Sequence, residues 1–450
     1  MAGKLRLKRL GEICEFRGGQ GFPQKHQGAI VGDYPFIKVS DMELPGNGHR
    51  ITRANHWIDE ATRKELRAKP HPATSTVFAK IGVALTYNRR RLLSRPTIVD
   101  NNMMAAVPIE SEVEPLFLYY LLKQTDFNEV VSGTALPFLN GSDLAKMEVE
   151  VPPLAEQKAI AAVLGSLDDK IELNRRMNET LEAMARALFQ SWFVDFDPVR
   201  VKLDGRKPAG LDKGTAALFP ATFHDSPIGP VPKGWKAERF DAHITADRGL
   251  SYNGAGLRDD GSGLPMHNLN SVYEGGGYKH EGLKYYGGEY REKHLLKPGD
   301  MIVTNTEQGF DHLLIGHAAI VPGCYGPKGI FSHHIYRVRF KSSSPFSPHY
   351  LVELFNNRRW HYWISGFSNG TTINMLPMDA LEMPMLVVPP VELVKKFTAL
   401  AEAVHLQVED NKQQSRTLAA LRDTLLPKLL SGEVWVAASE KILAMTALSH

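Results

Sequence analysis

Cysteine is almost missing from this 450-residue chain, which holds only Cys14 and Cys324. Two thiols so far apart supply neither a disulfide framework nor a Cys-rich metal site, so reduced thiols and a cytoplasmic location are expected. Long apolar runs are missing too. None approaches the ~18 consecutive residues of a membrane span, so no membrane partner is expected. The opening Met1-Ala2-Gly3-Lys4-Leu5-Arg6-Leu7-Lys8 is basic, but no apolar core follows it, so no signal peptide is expected there. Catalytic signatures are equally scarce. No Gly-x-x-x-x-Gly-Lys-Ser/Thr loop occurs, and Gly18-Gly19-Gln20-Gly21 and Gly275-Gly276-Gly277 lack the strand-then-helix setting of a dinucleotide fingerprint. No His-Glu-x-x-His is present. His333-His334 reads as part of a strand, where alternation would point the rings to opposite faces and prevent shared metal binding. Asp168-Asp169 reads as exposed helix surface, and Asp259-Asp260 as a solvated turn. The expectation is a chain with no catalytic residue, no metal and no cofactor of its own.

What is present is a pair of long helices. From Pro152-Pro153 onward apolar residues recur at steps of four and three: Ile160, Leu164, Leu167, Ile171, then Leu181, Ala185, Leu188 and Trp192. This is the a/d pattern of a helix with one partner seam. Asn174 and Asn178 occupy the intervening seam positions, where a polar residue lowers stability but fixes register. Shifted by 237 residues, the seam recurs after Val388-Pro389-Pro390 as Phe397, Ala401, Val404, Val408, Asn411, Ser415, Leu418, Arg422, Leu425 and Leu429. Asn174 falls on Asn411, and upstream Gly133-Thr134 falls on Gly370-Thr371. An aligned polar break points to internal duplication, with the two helices packed on each other.

Each helix follows a module of short β-like runs and one helix. In the first module the runs lie at 35–39, 76–81, 97–99 and 104–107, and the helix opens at Pro115. In the second they lie at 301–304 and 333–340, with a helix opening at Pro348. The mixture reads as α+β. The expected order is a first module over 1–151, a helix over 152–196, a connector over 197–234, a second module over 235–388, a second helix over 389–435 and a tail over 436–450. The connector is rich in Gly, Pro, Lys and Asp and is expected to carry the chain back along the helix.

Net charge is only +3, but it is unevenly spread: residues 1–95 hold 18 Lys/Arg against 8 Asp/Glu, and residues 96–153 hold 2 against 9. Such asymmetry suits a module with one face toward a polyanion. Arg89-Arg90-Arg91 follows Tyr87-Asn88, and Arg95 closes the same loop; arginine pairs bidentately with guanine edges and phosphates. The matching loop of the second module, Asn305-Thr306-Glu307-Gln308-Gly309-Phe310-Asp311-His312, offers Asn and Gln for adenine and Glu for cytosine. Asn88, Arg89, Arg90, Arg91, Arg95, Gln20, Lys25 and Lys38 are the first module's candidate DNA contacts. Tyr252, Asn253, His267, Asn268, Asn270, Lys284, Asn305, Glu307, Gln308 and His312 are those of the second. A stand-alone DNA-binding regulator and a coiled-coil scaffold for proteins fit the same features.

Four stretches in order resemble the DNA specificity subunits of type I restriction–modification systems. They are Pro152-Pro153-Leu154-Ala155-Glu156-Gln157, Leu188-Phe189-Gln190-Ser191-Trp192-Phe193-Val194-Asp195-Phe196-Asp197-Pro198, Ser226 to Trp235, and Leu421 to Glu433. The resemblance implies two target recognition domains, each followed by a long helix, the helices forming an antiparallel coiled coil with pseudo-twofold symmetry. It implies a non-catalytic subunit that reads a bipartite, asymmetric site on double-stranded DNA. The partners it implies are two methylation subunits, which bring S-adenosylmethionine, and a restriction subunit, which brings ATP hydrolysis with Mg²⁺. One departure is the second Pro-Pro motif, where Val391-Glu392-Leu393-Val394 replaces Leu154-Ala155-Glu156-Gln157. If the first form docks a methylation subunit, the second contact would be weaker or rearranged.

Overall fold

The computed structural model describes residues 5–133, 136–309, 311–370, 373–434 and 436. The expected tail beyond 436 and the landmarks Thr134, Phe310 and Thr371 lie outside them. The chain divides into two compact units, Met1–Met177 with Asn411–His450, and Asn178–Asp410. Among the described residues no helix is long and apolar enough to cross a membrane.

In the first unit a five-stranded sheet runs in the order Cys14–Gly18, Met103–Pro108, Thr76–Ala79, Arg91–Leu93, Arg50–Ile51. A three-stranded sheet places Tyr34–Ile37 between Trp57–Ile58, antiparallel, and Ile98–Val99, parallel. Burial on both faces explains the near-continuous apolar sequence of Met103–Val107 and Thr76–Ala79. The helix Pro115–Gln124 has proline in its first turn, and the Glu114 carboxylate caps the Phe117 amide at 2.5 Å. Strand Arg6–Arg9 pairs with Glu148–Val151, so the module's two ends meet just before the long helix begins at Leu154.

The second unit repeats this plan. Its main sheet runs Ile244–Arg248, Ile335–Phe340, Met301–Thr304, Ala318–Ile320, the same order as the first four strands of the first unit's sheet. Leu264–His267 again sits between an antiparallel neighbour, Lys284–Tyr286, and a parallel one, Gly329–Phe331. Lys236–Arg239 pairs with Met385–Val388, closing the module before the helix Val391–Leu430. The repeat reaches single residues. Gln20 bridges Asp100 in parallel, and Leu250 bridges Ser332 likewise. The glycine before each is forced by close approach: a Cβ on Gly19 would lie 2.0 Å from the Asp100 carbonyl oxygen, and one on Gly249 2.2 Å from that of Ser332.

The long helices run antiparallel, as the pairings inside each unit show. In the first unit Asn174 donates to the Asn411 carbonyl at 3.3 Å, Gln414 Oε1 at 2.7 Å and Ser415 Oγ at 3.3 Å. Its own amide oxygen is buried without a partner. Ile160, Leu164 and Leu167 share a core with Leu425, Leu426 and Leu429. In the second unit Asn178 donates to the Val408 carbonyl at 3.3 Å. There the seam thickens into an aromatic cluster in which Phe189 lies 5.4 Å from Phe397, and Trp192, Phe193, Tyr350, Phe219 and Trp235 join it. Each such buried side chain contributes about 1.5–3 kcal/mol relative to exposure. None of the expected seam residues is exposed; Ile171, Leu181, Leu188, Val404, Ser415, Leu418 and Arg422 are the half-buried ones.

Four expectations change. The 36-residue helix Leu154–Phe189 does not run straight to Phe196: it widens into a π turn at Gln190–Val194, closed by the Asp195 amide on the Gln190 carbonyl at 2.8 Å. Phe196 then takes a left-handed conformation, φ 56°, and a short helix follows over Asp197–Leu203. The connector is no tether back along the helix. Phe189 to Phe196 already lie in the second unit's core, and Val199 and Phe219 pack there with them. His333 and His334 precede their strand, which starts at Ile335, so alternation does not separate them; their ring centroids are 3.9 Å apart. Asp168 is not solvated surface but 2 % exposed. It accepts from the Tyr120 hydroxyl at 2.6 Å and pairs with Arg422 of the opposite helix. Burial pushes the Tyr120 phenol up, keeping it a donor.

Because Asp168 joins a module helix and both long helices, Asp168→Ala should leave the buried Tyr120 hydroxyl without its acceptor and Arg422 with only the exposed Asp423. A loss of roughly 3–5 kcal/mol in the first unit is expected. Urea unfolding followed by hydrogen exchange would check it; protection lost evenly in both units would contradict this placement.

Candidate nucleic-acid interface

The structure sorts the first module's candidates by what their side chains already hold. Arg90 is 3 % exposed, its guanidinium 3.8 Å from the centroid of Phe127 and 5.1 Å from that of Phe78. Burial pulls its cation down to about 9. It cannot reach a groove. Arg91 donates to the backbone carbonyls of Asn47 at 2.8 Å and Met42 at 3.2 Å, so it ties its strand to the 42–47 turn. Asn88, left-handed at φ 53°, donates to the Thr125 carbonyl at 3.1 Å and accepts from Arg90. Arg89 pairs with Glu43 and lies 4.9 Å over the Tyr87 ring. The triple-arginine loop is therefore mostly internal scaffolding. Arg95 is exposed and stacks 5.4 Å over Trp57. Lys25 is exposed and paired with Glu65 at 2.7 Å, and Lys38 bonds Gln27 Oε1 at 2.6 Å. Gln20 is half-buried in the wall of a cleft.

In the second unit His267 is a core histidine, not a groove contact. It bonds the Tyr278 hydroxyl at 2.8 Å, and a Cβ on Gly329 would come within 2.6 Å of its Nε2. Asn268 caps the Asn270 amide at 2.9 Å and donates to the Gly282 carbonyl at 2.8 Å. Asn305 is buried and donates to the His333 carbonyl at 3.0 Å. Glu307 accepts three consecutive amides, Leu313, Leu314 and Ile315, at 2.8, 3.0 and 2.9 Å. These four shape loops rather than face outward. Asn253, Asn270, Lys284 and Gln308 are exposed, and Asn253 also caps the Ala255 amide at 3.1 Å. Tyr252 leans edge-on toward Tyr286, and His312 is half-buried near Ser368.

The loops that carry these residues are equivalent. Ile81 bridges Phe138 and Ser132 bridges Phe138; in the second unit Thr306–Gln308 pairs with Ile373–Met375, and Asn369 bridges Met375. One scaffold thus presents two different polar edges. Gln157 belongs to that scaffold. Its amide donates to the Pro152 carbonyl at 2.9 Å and its oxygen accepts the Glu114 amide at 2.8 Å, clamping helix Pro115–Gln124 to the long helix. The second unit makes the matching joint with Ser347 and Thr398, whose hydroxyls are 2.8 Å apart. The departure at the second Pro-Pro motif is therefore a change of internal clamp.

The cleft beside Gln20 has no signal in the sequence. Gly18, Gly19 and Gln20 form one wall of it, its volume is about 570 Å³, and its other walls carry Arg17, Arg67, Lys69 and His71. Arg67 and Lys69 lie two residues apart and Arg17 fifty residues earlier, so no motif along the chain joins the three cations.

Residues 4–183 match the type I restriction modification DNA specificity domain. Over 450 residues the chain is 25% identical to the type I restriction enzyme MjaIX specificity subunit of Methanocaldococcus jannaschii, covering 96% of this chain and 93% of that one. Along nearly its whole length the chain is similar to type I DNA specificity subunits. Its HindI relative from Haemophilus influenzae is 23% identical over 390 residues, covering 75% of this chain and 81% of the relative. The type I restriction–modification S subunit from M. genitalium shares the fold, with a TM-score of 0.59 at 12% identity over 95% of this chain and 96% of that one. The paired helices and duplicated modules therefore sit in a fold that this chain shares with a solved S subunit.

Burial sets an acid limit on that architecture. His267 is held down to about 4 by burial, well below the 6.5 of a free histidine. Between these values the unfolded chain binds a proton that the folded one refuses, so stability falls as pH drops from about 6.5 toward 4. The second unit should lose about 1 kcal/mol per pH unit from this residue. His267→Gln should flatten that slope in pH-dependent urea unfolding; an unchanged slope would remove the assignment.

Proposed function

We propose that this chain reads a bipartite, asymmetric site on double-stranded DNA, one half per unit, and brings two methylation subunits and a restriction subunit to it. The observation that carries the reading is the repeated scaffold with unlike polar edges. Two copies of one fold, matched over four strands of the main sheet, differ in the side chains that their equivalent loops expose. Direct readout needs such variation, because each base pair in the major groove presents its own donor and acceptor pattern. Arg95 and Lys25 in one unit, and Asn253, Asn270, Lys284 and Gln308 in the other, are the exposed candidates from which contacts would be drawn.

In this reading the chain binds and orients but performs no bond chemistry. S-adenosylmethionine belongs to the methylation subunits, and ATP and Mg²⁺ to the restriction subunit. The antiparallel helices serve as the spacer that sets the distance between half-sites.

The test is a module graft. A foreign first module replacing residues 5–151, with strand Arg6–Arg9 and its partner Glu148–Val151 exchanged together, should change one half of the methylated motif in a cell carrying the complete system. The other half should persist. If methylome sequencing showed both halves altered, the assignment of one half-site to each unit would fail.

A further inference from the structure

One cross-strand pair is solved in opposite ways by the two units. In the second unit Asp247 lies opposite Arg337. Arg337 turns its guanidinium onto Asp247 at 2.7 Å, onto the Lys293 carbonyl at 3.1 Å and onto that of Leu295, and lies 5.5 Å over the Phe331 ring. It plugs the space between the sheet and the segment at 293–295. The equivalent pair of the first unit is Arg17 opposite Ala105. The close-approach glycines Gly19 and Gly249, each two residues further along its chain and each next to a parallel bridge, fix this matching.

Ala105 ends at Cβ within an apolar core, and beside Arg17 the first unit has a cleft of about 570 Å³. Its charge is also reversed. Arg17 replaces the carboxylate of Asp247, and the exposed Arg67 and Lys69 line the same cleft. Glu15, the one carboxylate lining the cleft, is paired with Arg17 at 2.6 Å. His71 at the cleft is pushed down to about 4, first by burial and then by the Arg17 cation, so its ring is neutral there at physiological pH. Where one copy seats a guanidinium against a carboxylate, the other leaves room and offers cations.

We propose that this cleft holds a phosphate group, gripped by Arg17, Arg67 and Lys69. Arginine and lysine are the side chains that bind phosphate oxygens, bidentately in the case of arginine. The volume exceeds that of one phosphate and accommodates the sugars on either side of a phosphodiester. The source favoured is the backbone of a DNA duplex, which rests on the function proposed above; a free phosphate is the other source with the same chemistry. The cleft would fix the first unit's position on the duplex without reading sequence.

The test uses the full chain and two variants. Arg67→Asn with Lys69→Gln removes two of the cleft's cations, and asparagine tolerates the left-handed backbone at 67, φ 51°. Arg17→Gln removes the third cation, from strand Cys14–Gly18, and leaves the buried core untouched. Affinity for a duplex carrying the recognised site is measured across salt concentrations, and inorganic phosphate binding is followed by NMR. Both variants should weaken duplex binding roughly tenfold at fixed salt and lower the salt slope by about one, with the recognised sequence unchanged. Loss of phosphate binding with duplex affinity intact would assign the cleft to free phosphate. Wild-type levels of both in both variants would overturn the proposal while leaving DNA reading in place. If the wild-type chain bound no duplex, the function proposed above would fail and the phosphate arm alone would decide.

Discussion

Everything in this chain depends on two long helices meeting in one register. An a/d seam of leucines alone would tolerate a slip of one heptad. The amide of Asn174 does not: it finds the Asn411 carbonyl, Gln414 and Ser415 only when the helices are aligned as observed. Displaced by a heptad it would meet apolar neighbours and lose those bonds, at a cost of about 1–3 kcal/mol for a stranded buried donor. The partnerless oxygen of Asn174 shows that even the correct register is not free of cost. Asp168 and Arg422 repeat the logic with charge, farther along the same half of the pair. Polar groups inside the seam specify position, and the apolar groups around them supply the stability.

From that register the modules follow. Each is closed by a strand pair whose second member runs directly into a long helix, so the sheet cannot shift without moving the helix. Each also clamps its own short helix onto the long one, by Gln157 in one case and by Ser347 with Thr398 in the other. The hydrophobic anchors differ as well. Leu425, Leu426 and Leu429 serve in the first unit, and Phe189, Trp192 and Phe193 in the second. Duplication has preserved which elements touch and let the touching side chains drift, since a core tolerates many residues of suitable volume.

The same freedom explains where sequence reasoning ran short. Arg89-Arg90-Arg91 has the composition of a groove-binding loop, yet Arg90 lies between aromatic rings and Arg91 is spent on backbone carbonyls. Clustering along the chain says nothing of direction, and a loop that turns back on its own sheet buries what it carries. Asn305, Glu307 and Asn268 are polar because loop amides and carbonyls need partners, a demand as strong as that of a base edge and far more common. Arg17, Arg67 and Lys69 carry the reverse lesson. They are unremarkable singly and become a cluster only when strand and loop are brought together.

What the sequence by itself determined is whatever depends on periodicity and repetition. The 237-residue shift, the two a/d seams, the polar break at Asn174 and Asn411 and the proline-opened helices are all one-dimensional signals, and the structure carries each of them. Only the tertiary structure decided which polar side chains face outward, that Asp168 is a buried hub, that the connector packs into the second unit, and that Arg17, Arg67 and Lys69 line one cleft. Those outcomes turn on residues distant in sequence meeting at a few ångströms, and no pattern along a single chain encodes that distance.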